Sequence, residues 1–155
     1  MTREEMLVGY DNEQIFIGTL MALSNRIQAV GDSFYEEITF KQFFLLICLN
    51  LFRENAPTIN ELSDIMGSSH QNVKQIVLKL EKSGFIRTYI DPVDRRKLRV
   101  AITDKIERFN EKYEKSVNDF FHAMYQNVDE EELAITLKTI TKIEYNIGAM
   151  KGELS

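Results

Sequence analysis

Between about Asn12 and Val30, the residues Ile15, Phe16, Leu20, Leu23, Ile27 and Val30 recur at three- and four-residue spacing, which predicts a first helix with one broad apolar face. Gly31, Asp32 and Ser33 end it. Thr39-x-x-Gln42 then reads as a capping box, in which the hydroxyl and the amide side chain satisfy two free backbone N–H groups at a helix start. This second helix runs to about Phe52 and is apolar nearly all round, through Phe43, Phe44, Leu45, Leu46, Ile47, Cys48, Leu49 and Leu51. Such a pattern predicts enclosure at the centre of the domain. Arg53 to Pro57 breaks it, and Thr58-Ile59-Asn60-Glu61 opens a short helix through Leu62, Ile65 and Met66 that Gly67 terminates.

Ser68 or Ser69 caps a further helix, whose Val73, Ile76, Val77 and Leu80 occupy positions i, i+3, i+4 and i+7. Gly84 closes it. Phe85–Ile90 and Leu98–Ile102 are short runs rich in β-branched residues, separated by the charged, turn-forming Asp91-Pro92-Val93-Asp94-Arg95-Arg96-Lys97, so they predict a β-hairpin with an exposed tip. Thr103 begins a long helix through Ile106, Phe109, Tyr113, Val117, Phe120, Phe121 and Met124. Asp129-Glu130-Glu131-Glu132 caps a last one, with the stripe Leu133, Leu137, Ile140, Ile143, Ile147 and Met150. The fold class is therefore mainly α with a small β-hairpin.

Two short helices joined by a tight glycine turn and followed at once by a hairpin wing form a winged helix-turn-helix. In that arrangement the second helix anchors one apolar face and leaves a polar face free to enter a major groove. With Val73, Ile76, Val77 and Leu80 buried, the outward side chains near its start are His70, Gln71, Lys74 and Gln75, with Asn72 and Lys79 at the margins. Glutamine and asparagine match adenine bidentately, lysine suits guanine or phosphate, and Ser68 and Ser69 at the helix N-terminus suit a phosphate. Arg95, Arg96 and Lys97 occupy the hairpin tip, where nothing local buries them and where arginine can reach a minor groove. Asp94 is the wing-orienting partner that fixes an arginine fork.

The charge supports this reading by its distribution. The 155 residues carry a formal charge of -5, which at first opposes a polyanion partner. From Ser68 to Val100, however, eight basic residues face three acidic ones, so this stretch holds +5 and the remainder -10. An acidic body with one basic segment orients a single face toward nucleic acid. A winged-helix module for protein partners, the alternative without DNA binding, does not need that segment.

Length and a hydrophobic fraction of 44% suit one domain with a real core. No apolar run reaches the ~18 residues of a membrane span, and the start lacks the apolar stretch of a signal peptide, so no membrane partner and a cytoplasmic location are expected. The single Cys48 excludes an intrachain disulfide framework. His70 and His122 are far apart and have no Cys or carboxylate at ligand spacing, so neither a metal nor a cofactor is expected. No nucleophile with a base and no paired carboxylate cleft stands out, and catalytic residues are not expected; Glu130, Glu131 and Glu132 suit the helix N-terminus they begin.

Thr58-Ile59-Asn60-Glu61-Leu62, the turn Met66-Gly67-Ser68-Ser69, the segment from Val73 through Glu81-Lys82-Ser83-Gly84-Phe85-Ile86, and the wing Asp91 to Arg96 ending in Leu98 to Thr103 resemble the MarR family of bacterial regulators. The likeness covers about residues 39 to 104. It implies a D-x-R wing signature at Asp94 and Arg96, with Arg96 in the minor groove. It also implies a single domain over 1–155, with 1–35 and 104–155 as a helical dimerisation region and 36–103 as the winged DNA-binding region. The expected partners are a pseudo-palindromic duplex operator, a second copy of the chain, and a small aromatic or anionic effector that modulates a repressor. Phe16, Leu20, Phe43, Ile47 and Tyr113 are the candidates for an effector pocket, although such stripes are more often plain core. Some relatives sense oxidants through a cysteine, which makes a thiol-based redox regulator through Cys48 a further alternative; its apolar helix and lack of a basic neighbour in sequence favour packing. The chain departs from the family where arginine is common, at His70 and Gln75, and at Thr103-Asp104-Lys105-Ile106 in place of T-x-x-G.

Overall fold

A computed structural model of the chain describes residues 2–52 and 55–153. Arg53 and Glu54, where the expected break after the second helix begins, lie outside the described residues. The chain divides into two units, Met1–Tyr113 and Glu114–Ser155.

The first unit contains α1 (Arg3–Met6), α2 (Asn12–Asp32), α3 (Phe40–Asn50), α4 (Ile59–Ile65), α5 (His70–Lys82), β1 (Ile86–Ile90), β2 (Leu98–Ile102) and the opening turns of α6 (Lys105–Met124). Both sequence-predicted capping boxes form. Thr39 Oγ1 accepts from the Gln42 amide while Gln42 Oε1 accepts from that of Thr39, and Thr58 and Glu61 repeat the exchange. Gly67 at φ 58° and Gly84 at φ 80° follow α4 and α5, where left-handed backbone lets the chain leave a helix without a Cβ clash. Gly31 serves another purpose, because a Cβ there would run into the Phe40 ring.

Leu45, Leu46, Leu62, Val73, Val77, Leu80, Phe85 and Val100 are fully enclosed and join α3, α4, α5 and the hairpin into one core. Tyr35, Phe43, Phe85, Phe109 and Tyr113 continue it as a run of ring contacts, with Phe85 edge-on to Phe109 at 5.3 Å between centroids. Burial, and then the nearby Tyr113, push the Tyr35 hydroxyl up to about 12.

Three expectations need correction. The central helix α3 is enclosed on one face only: Phe44 remains 39% and Ile47 40% exposed. An uninterrupted apolar run reports that a face is sticky and leaves open what covers it. The long helix begins at Lys105 and not at Thr103, because Thr103 still bonds backward, with its N–H to Phe85 O and its hydroxyl to Gly84 O. Phe85 likewise precedes β1, since its N–H closes the end of α5 on Leu80 O.

The hairpin pairs antiparallel from Ile86 opposite Ile102 to Ile90 opposite Leu98. In the second unit, α6 runs on to Met124 and α7 spans Glu130–Glu153, opened by reciprocal bonds between Asp129 and Glu132. Along α7, Leu133, Ile140 and Ile143 are half-buried, and Ile135, Leu137, Tyr145, Ile147 and Met150 are exposed. Among the described residues no helix is long and apolar enough to cross a membrane.

Candidate nucleic-acid interface

Ser69 caps α5 by accepting from the Asn72 amide at 3.2 Å, which leaves its hydroxyl hydrogen free to donate outward. Val73, Val77 and Leu80 seat one face of the helix in the core. At 100° per residue the opposite side carries Gln71, Lys74, Gln75 and Leu78, all exposed, with Lys79 beside them. Leu78 was not singled out from sequence, although its i+7 and i+4 spacing to Gln71 and Lys74 places it on the same face.

The candidate residues divide into three positions around α5. His70 shares a cleft of about 230 Å³ with Arg96 and Lys97 of the wing, lined also by Thr58, Asn60 and Leu98. Gln71, Lys74 and Lys79 stand in the open. Ser68, Asn72 and Gln75 turn toward the other flank, a groove of about 620 Å³ between α2, α3 and the α4–α5 turn. The shared cleft brings the start of α5 and the wing to one side of the unit.

The wing is built on two carboxylates. Asp91 is buried and accepts from the Val93 and Asp94 amides, each at 2.8 Å, and from Arg99 Nε at 2.6 Å. These bonds, that of the Asp94 amide foremost, hold its carboxyl down at about 2. Asp94 in turn accepts from Arg96 Nε at 3.1 Å and from the Arg96 amide at 3.2 Å, which lowers its carboxyl as well. The Arg96 side chain is otherwise 91% exposed. Arg95 is exposed, and Lys97 reaches Asp94 Oδ2 at 3.9 Å.

Asp91 and Arg99 brace the wing and were missed in reading the sequence, because they pair across the hairpin and no local spacing marks them. Arg99 also donates to Ala56 O at 2.9 Å and lies 3.4 Å from Glu61 Oε2, so it ties the wing base to the segment that starts α4. The pH response follows from the sign of the Asp91 shift. Its carboxyl is lowered from 3.8, so its contribution to the folded wing is complete above that value and is lost as pH falls through about 2. Hydrogen exchange at the Val93 and Asp94 amides should therefore keep its protection from neutral into mildly acidic solution. Asp91→Ala, which removes the acceptor of both amides, should abolish that protection at every pH.

The five effector-pocket candidates are not gathered in one cavity. Leu20 alone lines the groove, together with Leu23, Ile27, Phe40, Phe44 and Ile76. Phe43 and Tyr113 belong to the aromatic core around Tyr35, Phe16 is half-buried on α2, and Ile47 is open. Cys48 is buried in α3, and burial pushes its thiol up, away from the reactive thiolate. Among the described residues no group of His, Cys, Asp or Glu is arranged to hold a metal ion.

Residues 38–98 match the MarR family, the stretch that holds α3 through the start of β2. An uncharacterised HTH-type transcriptional regulator, YsmB of Bacillus subtilis (strain 168), is 24% identical over 90 residues, covering 58% of this chain and 62% of that protein. The chain thus aligns with less than two thirds of that relative. Among solved structures, a MarR protein from Peptoclostridium difficile is similar with a TM-score of 0.77 at 20% identity, covering 96% of this chain and 95% of that one. The S. aureus MepR–DNA complex is similar with a TM-score of 0.73 at 19% identity, covering 88% and 99%.

Proposed function

We infer that this chain, which belongs to the MarR family, is a cytoplasmic regulator that grips duplex DNA with α5 in a major groove and Arg96 in the neighbouring minor groove. The observation that carries this reading is the cleft shared by His70 of α5 and Arg96 of the wing, which sets two basic, exposed elements side by side. The similar MepR fold was solved bound to DNA. In the proposed complex Gln71, Lys74 and Gln75 read base edges, Ser69 and Lys79 take phosphates, and Asp94 aims the Arg96 fork.

One α5 and one wing offer little contact area, so the operator is proposed to be pseudo-palindromic and bound by a homodimer, with half-sites ~10 base pairs apart. Residues 1–35 and 104–155 supply the dimer and 36–103 the DNA contacts. Ile17, Met21 and Val30 of α2 and Leu137, Ile147 and Met150 of α7 support this, since each helix leaves apolar side chains in water within its own unit. Light scattering should return twice the chain mass at micromolar concentration. A monomer there would contradict the twofold site.

The proposed action is repression by occupying a promoter, and the groove beside α5 is the proposed place for effector control. Its wall is mainly apolar, Lys41 lies on its lining, and Asn72 and Gln75 belong to both the groove and the DNA-facing helix. A small aromatic acid seated there would touch α5 directly. The regulator reading is tested by selecting random duplexes with the purified chain. Enrichment of an inverted repeat is expected, and unenriched DNA after several rounds would count against it.

A further inference from the structure

Glu81 is the one acidic residue of α5, and it lies between Lys79 and Lys82 near the end of the helix. Next to a polyanion its charge is unfavourable by Coulomb's law. The carboxylate, however, turns to the wing, where Oε1 accepts from the Thr88 amide at 2.8 Å and from the Thr88 hydroxyl at 2.6 Å. Thr88 lies opposite Val100 in the hairpin register. Neither amide of that pair closes the ladder: Val100 N–H goes to Pro57 O at 2.8 Å, and Thr88 N–H goes to Glu81. The hairpin is therefore held from both edges, on the β2 side by Pro57 and the Arg99 network, and on the β1 side by a single carboxylate from the helix itself.

We propose that Glu81 is a positioning residue for DNA binding, a tie that fixes the distance from the α5 face to the wing tip so that both meet adjacent grooves together. This inference rests on the DNA-binding reading above. Without the tie, the β1 edge loses its side-chain hydrogen bonds to α5, and Arg96 no longer arrives in register with Gln71 and Lys74. Geometry and charge predict opposite signs for its removal. A simple electrostatic role predicts that Glu81→Ala tightens DNA binding, since a negative charge leaves a basic surface. The positioning role predicts that it weakens binding.

The experiment is a fluorescence titration of a selected operator duplex with five full-length proteins: the natural chain, Glu81→Ala, Glu81→Gln, Arg96→Ala, and Glu81→Ala combined with Arg96→Ala. Glu81→Ala should weaken binding about threefold to tenfold, the scale of lost bonds to a charged acceptor partly transmitted to the site. Glu81→Gln keeps an oxygen for Thr88 and should bind at least as well as the natural chain. In the Arg96→Ala background the Glu81→Ala loss should shrink below about twofold, because the tie acts through the wing. Hydrogen exchange at the Thr88 amide should speed up in Glu81→Ala and not in Glu81→Gln.

Tighter or unchanged binding by Glu81→Ala overturns the proposal while leaving the regulator reading intact. A full loss that persists without Arg96 overturns it too, since Glu81 would then act elsewhere. If the natural chain fails to bind any duplex at low salt, the regulator reading falls and takes this inference with it.

Discussion

Replacing Arg96 with alanine is expected to weaken operator binding by about 1–3 kcal/mol, the range of one good groove contact. The Arg96 side chain is 91% exposed and, among the described residues, bonds to Asp94 alone, so the fold does not depend on it. Removing the side chain deletes the proposed contact to DNA and leaves the Asp94 carboxylate with the backbone amide of residue 96 and with Lys97 at 3.9 Å. Both consequences act on the complex and neither on the core. Thermal unfolding should thus be unchanged while affinity drops. Normal affinity in a folded Arg96→Ala protein would remove the wing from the mechanism.

The second large effect is on stability. Phe85→Ala should cost about 3–5 kcal/mol, the usual range for a fully buried aromatic. Phe85 is wholly enclosed, its ring stands edge-on to Phe109, and Lys105 Nζ lies 4.2 Å from the ring centroid. It sits at the junction of α5, β1 and α6, where its own amide closes the helix and its carbonyl accepts from Thr103. The cavity would therefore loosen the base of the wing as well as the core. Urea unfolding checks it, through a lowered midpoint with an unchanged slope. A loss below about 1 kcal/mol would mean that this junction repacks freely.

How much of this was legible in the sequence depends on the reach of each interaction. The two capping boxes, the glycine stops at Gly67 and Gly84 and the hairpin all follow from residues within a few positions of one another, and they form as read. The exposed polar face of α5 was legible for the same reason, since three buried residues at helical spacing fix the opposite side. The supports of the site were not. Asp91 meets Arg99 only after the hairpin folds back, and Glu81 meets Thr88 only after β1 turns back from α5 at Gly84, and nothing in their spacing announces either bond. The groove beside α5 draws on four separate segments, so stripes on single helices could not outline it; of the five candidates Leu20 lines it, while Phe43 and Tyr113 pack in the aromatic core. The exposed side of α3 escaped notice because an apolar run cannot say what will cover it. The departure at Thr103-Asp104-Lys105-Ile106 is accommodated: Lys105 donates to Ser83 O at 2.9 Å and lies over Phe85, filling the junction between α5 and α6.

The claim beneath all of this is that one basic, exposed surface made of α5 and the wing binds the phosphate-lined grooves of DNA. Titration of a labelled operator duplex at rising salt tests it most directly. Binding that is tight at low salt and falls by about 10³-fold or more between ~50 and ~200 mM, as expected if some six phosphates are neutralised, is the predicted result. Absence of binding even at the lowest salt, or an affinity indifferent to salt, would contradict it.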